Sequence, residues 1–121
     1  MSNEKLEEIF KIQLINLIDD LLIVFSQDSF ILEIKNQLIL KINNRNFFPE
    51  IKEYFNKDVE QCITEKNDEI LFQKNYTFVP TNKEDILKLK LERYWKIMSK
   101  SNKDKVWCYL LSLLQIFKNM E

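Results

Sequence analysis

One stretch constrains this chain more than any other: residues 6–25, LEEIFKIQLINLIDDLLIVF. Thirteen of its twenty residues are apolar, more than one helix face can hold. At about 100° per residue, Leu6, Phe10, Leu14, Leu17, Ile18, Leu21, Val24 and Phe25 form one broad stripe. Ile12, Ile15, Leu22 and Ile23 fall outside it, among Glu8, Lys11, Asn16 and Asp19. A helix apolar on both sides needs cover on both sides. It is therefore either the central helix of a bundle or a contact between molecules.

The rest of the chain reads as helices with caps. Ser2 or Asn3 caps the first helix, and Glu4, Glu7 and Glu8 suit its first turns. Asp28 or Ser29 opens a second helix, about 30–42, carrying Phe30, Ile31, Ile34, Leu38 and Ile42 at helical spacing. After the loop Asn43-Asn44-Arg45-Asn46, Pro49 begins a third, buried through Ile51, Tyr54, Phe55, Val59, Cys62 and Ile63. Asn67 caps one further turn, 68–72, and residues 73–80, QKNYTFVP, read as an extended connector pinned by its aromatics. Thr81 and Glu84 form a capping box for a helix over 82–99 that buries Leu87, Leu91, Tyr94, Trp95 and Met98. Ser101 to Asp104 repeats the capping logic for a last helix, 102–119, with Val106, Trp107, Leu110, Leu113, Leu114 and Phe117 on one side. The expectation is an all-α single domain over 1–121, a compact bundle of five or six helices with no significant sheet. With no glycine in the chain, helix ends use Asn43, Asn44, Asn102 and Asn119 or finish without a Schellman turn.

Composition removes chemistry. The chain has no glycine, alanine or histidine. Without glycine, P-loop and dinucleotide-binding turns cannot form. Without histidine, the usual serine and cysteine triads and most zinc sites are gone. The preference for Ile, Lys, Asn and Phe over Gly and Ala marks an AT-rich coding sequence. Cys62 and Cys108 lie too far apart for a CxxC motif and read as two free thiols of an intracellular protein. No secretory signal is visible, and Lys11, Asp19 and Asp20 interrupt the first apolar run, which therefore does not read as a membrane span. Asp19-Asp20 point about 100° apart and read as a solvated helix edge rather than a catalytic dyad. Carboxylate pairs such as Glu4/Glu8 and Glu65/Glu69 lack a histidine to make a specific metal site. No catalytic residue, metal ligand or cofactor is expected.

Charge is unevenly spread. Residues 1–82 carry nine basic and fourteen acidic side chains, net −5, and residues 83–121 carry nine basic and five acidic, net +4. Lys88, Arg93, Lys96, Lys100, Lys103 and Lys105 gather around the junction of the last two helices, near Tyr94, Trp95, Trp107 and Tyr109. Basic side chains interleaved with aromatics can hold single-stranded nucleic acid. Against that, Glu84, Asp85, Glu92 and Asp104 dilute the patch, and the tryptophans sit on core stripes.

The C-terminal third carries a further pattern: Leu89-Lys90, Tyr94-Trp95, Met98-Ser99, Asn102-Lys103, then Trp107, Tyr109, Leu110 and Leu113. Over about forty residues it resembles the endings of small helical proteins of large double-stranded DNA viruses. The resemblance implies a virus-encoded accessory protein, in the host cytoplasm, and brings no catalytic residues with it. The reading is a non-enzymatic helical interaction module that self-associates or binds a protein partner through Ile12, Ile15, Leu22 and Ile23. The alternative is a nucleic-acid-associated protein using the basic C-terminal third.

Overall fold

A computed structural model describes residues 3–25, 28–73 and 84–120. All regular structure among them is helical: α1 (Asn3–Val24), α2 (Ser29–Lys41), α3 (Phe47–Tyr54), α4 (Lys57–Glu65), α5 (Asp68–Gln73), α6 (Glu84–Ile97) and α7 (Lys100–Lys118). The all-α expectation holds, with seven helices among the described residues rather than five or six. The extra one arises because the expected third helix breaks at Phe55-Asn56. Asn56 takes extended backbone, and its side chain accepts a bond from the Val59 N–H, starting α4 afresh. The buried face survives the break, since Ile51, Tyr54, Phe55, Val59, Cys62 and Ile63 are all buried.

The caps follow side-chain chemistry. Asp28 Oδ1 accepts from the backbone N–H groups of Phe30 and Ile31 at 2.9 and 3.0 Å, starting α2. Asn67 Oδ1 accepts from Ile70 N–H at 3.2 Å at the start of α5. The last helix opens earlier than expected. Ser99, not Ser101, is the N-cap, accepting from Asn102 N–H at 3.2 Å, so α6 and α7 are joined by Met98-Ser99 alone. The Thr81 capping box and the connector 74–80 lie outside the described residues. The end of α4 corrects the expectation for a glycine-free chain. Lys66 takes the left-handed conformation, φ 55°, and Asn67 N–H reaches Cys62 C=O at 2.9 Å, closing a Schellman turn without glycine.

α1 and α7 are the long axis of the structure. Tyr109 meets Asp20 toward one end, while Phe10 and Phe117 both pack on Phe55 toward the other, so the two helices run antiparallel. α3 and α4 supply the densest core, where Phe47, Ile51, Val59 and Ile63 are fully buried with Phe10. A second cluster joins Cys62, Leu71, Trp95 and Trp107. Trp107 meets the Trp95 ring edge-on at 5.5 Å, and Trp95 Nε1 donates to Asp68 Oδ2 at 2.7 Å, tying α6 to α5.

Candidate functional site

The four aliphatic residues set apart on α1 do not share one fate. Ile12 and Ile23 are 56% and 72% exposed. Ile15 is half-buried. Leu22 is buried, which corrects its expected place on the uncovered side. The reason is the position of α2. The Lys35 ammonium of α2 lies 2.5 Å from Asp19 Oδ1, so α2 covers the flank of α1 between the main stripe and Asp19, where Leu22 and Ile15 fall. α7 takes the opposite flank, with Tyr109 donating to Asp20 Oδ2 at 2.6 Å. The first helix is thus central on two of its sides and bare on a third. Val24 is the one member of the main stripe that is exposed.

The bare side continues onto α2. By the helical repeat, Ile12 and Ile23 flank Asp19, and Leu32 and Ile39 flank Lys35 on the side turned from the core. Leu32, Ile39 and, further round, Leu40 are all exposed, Leu40 by 80%. The outer face of the α1–α2 hairpin therefore shows five large aliphatic side chains around one ion pair. Sequence reasoning missed the α2 half because attention to Ile31, Ile34 and Leu38 leaves Leu32, Ile39 and Leu40 uncounted. α6 has a second, narrower row, Ile86, Leu89 and Ile97, interrupted by the exposed Arg93 and Lys96.

The basic residues lie mostly at the surface: Arg93, Lys96, Lys100 and Lys105 are exposed, Lys88 and Lys103 half-buried. Their aromatic neighbours are engaged inside the protein. Trp95 and Trp107 are buried, and Lys103 Nζ sits 5.4 Å from the centre of the Trp95 ring. Tyr94 stacks on Phe25 at 4.0 Å, and Tyr109 is bonded to Asp20. No ring of this set is left as an open platform for a base.

Asp28 bonds to four residues on two helices, Phe30, Ile31, Lys90 and Tyr94. Besides capping α2, its Oδ2 accepts from the Tyr94 hydroxyl and from Lys90 Nζ, the latter at 3.1 Å. One carboxylate thus pins the start of α2 to α6. The hydrogen bond from Tyr94, with those from Ile31 and Lys90, outweighs desolvation and holds its pKa at about 2. The Tyr94 phenol is pushed above its ordinary value by the same bond, and Tyr109 likewise by its bond to Asp20. Each bond to a carboxylate favours the protonated phenol.

Between these braced helices lies a cavity of about 180 Å³. Leu14, Leu17, Ile18 and Leu21 of α1 form one wall, Ile31, Ile34 and Leu38 of α2 another, with Leu91, Tyr94 and Met98 and then Leu110 and Leu113 closing it from α6 and α7. Among the described residues no group of three or more metal-ligating side chains is found. Cys62 is buried and Cys108 exposed, and both are free thiols. No helix among the described residues is long and apolar enough to cross a membrane. No protein-family model, curated protein or solved structure matches the chain significantly.

Proposed function

We propose that this protein is a non-enzymatic helical interaction module that associates with a second copy of itself through the outer face of the α1–α2 hairpin. The observation that carries the reading is the exposure of Ile12, Ile23, Leu32, Ile39 and Leu40 on that one face. Burying each such side chain is worth roughly 1.5–3 kcal/mol, and an apolar surface spread over two neighbouring helices is a surface for a partner. The α6 row is the weaker candidate, because Arg93 and Lys96 break it. The viral resemblance of the C-terminal third fits an accessory role of this kind.

Sedimentation of the wild type and of the pair Ile23→Lys, Ile39→Lys tests the reading. The wild type should associate as its concentration rises. The double variant should be a monomer that melts within a few degrees of the wild type, since both residues are exposed. A wild type that stays monomeric at high concentration, or a variant that associates equally well, overturns self-association. Leu22→Lys, by contrast, places a charge in the buried flank of α1 and should unfold the protein.

A further inference from the structure

We propose that the cavity between α1, α2, α6 and α7 is a binding site for a small uncharged apolar molecule, an aromatic ring or short alkyl chain of about six to ten carbon atoms. The inference is independent of the proposed self-association, which uses the opposite side of α1.

Size comes first. At about 180 Å³ the space exceeds the roughly 150 Å³ of an apolar protein cavity that stays dry and admits benzene. Chemistry comes next. The wall is built of Leu, Ile, Phe, Val and Met side chains with the rings of Tyr54, Tyr94 and Trp95, and the polar atoms of Tyr94 and Trp95 already have partners. The Tyr94 hydroxyl donates to Asp28 and the Trp95 indole N–H to Asp68. Lys90 is held against Asp28. Among the described residues a ligand carboxylate would therefore find no uncommitted cation there, and Asp28, bonded to Tyr94 of the wall, would repel it. Such a site selects against charge.

The walls are also held in place. Asp28 joins α2 to α6, Lys35 joins α2 to Asp19 on α1, and Tyr109 joins α7 to Asp20 on α1. These contacts hold α2 to α6, α2 to α1 and α7 to α1, and so oppose collapse of the space between the four helices. Met98 in the wall gives it an adaptable side.

The test uses toluene and 1-octanol as probes, octanoate as the charged counterpart, and methyl NMR shifts of the folded full chain. Toluene and 1-octanol should shift the methyl groups of Leu14, Ile18, Ile34 and Leu91 saturably, with dissociation constants on the order of 0.1–1 mM. Octanoate should bind at least tenfold more weakly. Leu91→Phe with Leu110→Phe, which fills the space, should weaken 1-octanol at least tenfold. Absence of saturable shifts, shifts confined to Ile12, Ile23 and Ile39, or octanoate binding as tightly as octanol overturns the proposal. Undiminished octanol binding by a folded filled variant does the same. Should that variant not fold, the wild-type shift map and the octanol–octanoate comparison decide the matter alone.

Discussion

Asp19 and Asp20 are adjacent in the chain and hold opposite neighbours: Asp19 lies 2.5 Å from Lys35 of α2, and Asp20 accepts from Tyr109 of α7 at 2.6 Å. The 100° step between successive helix residues, which disqualifies them as a catalytic dyad, is what lets them reach two different helices. Asp20→Asn and Tyr109→Phe should each destabilise by about 1–2 kcal/mol in urea unfolding, because the bond is charge-assisted and partly buried. The double variant should lose less than the sum of the two, since both remove one interaction. Asp19→Asn should cost less than about 1 kcal/mol, as its pair with Lys35 is more exposed.

Asp28 makes the fold sensitive to acid. Its folded pKa of about 2 lies below its ordinary value of 3.8, so the unfolded chain takes up its proton first as pH falls. The stabilisation is complete above about pH 4 and drains away as pH drops toward 2. It amounts to roughly 1–2 kcal/mol once solvent screening is allowed for. Asparagine caps helices as well as aspartate does, so Asp28→Asn isolates the charge. The variant should be less stable at neutral pH and should show a flatter stability profile between about pH 4 and pH 2.

Alkali acts through the phenols. Tyr94 and Tyr109 have folded pKa values raised above 10.0. Their contribution is present at neutral pH and is lost as pH rises past that ordinary value, where the unfolded chain ionises first. Phenolate absorbance should show two tyrosines ionising late in the folded protein. Tyr109→Phe should remove one of them.

The capped amphipathic helices were legible because periodicity and caps are local. Trp107, Leu113 and Leu114 lie buried on α7 as the 3.6-residue pattern requires. The break at Asn56 was harder to see, because Tyr54, Phe55 and Val59 keep helical spacing through it and the cap alone betrays it. Leu22 was misplaced for another reason. Its side of α1 is apolar either way, and only the docking of α2 through Lys35 decides that it is covered while Ile23 is not. The cavity could not be read at all, since it belongs to the spacing between α1, α2, α6 and α7 and to no single helix. The contacts that hold its helices together join residues up to 89 positions apart, Asp20 and Tyr109, and no local pattern pairs them.

Lys66 takes the left-handed position that glycine usually fills where a helix ends in this way. A non-glycine residue in the left-handed region carries a steric penalty on the order of 1 kcal/mol from its Cβ. Lys66→Gly removes it, although glycine also gains freedom in the unfolded chain. The relief should win by roughly 0.5–1 kcal/mol, seen as a rise in melting temperature, because the Schellman bonds from Lys66 and Asn67 N–H are backbone bonds and remain. Lys66→Ala, which keeps the Cβ, should give no such gain.

Trp107 decides whether the second cluster is structural. It is 5% exposed and packs with Trp95, Cys62 and Leu71, with Val106 and Leu110 against the same cluster. Trp107→Ala should therefore cost roughly 3–5 kcal/mol in urea unfolding, combining lost transfer energy with the cavity left behind. The loss should reach α6 as well. Trp95 rests edge-on against Trp107, and its indole N–H anchors α6 to Asp68 of α5. Removing its neighbour should loosen that anchor and shift Trp95 fluorescence in the remaining folded fraction. Leu111 gives the control on the same helix: it is 37% exposed, and Leu111→Ala should cost only about 1 kcal/mol or less. If Trp107→Ala proved as mild as Leu111→Ala, the indole would have to be exposed in solution, and the ring would again be free to stack on a ligand.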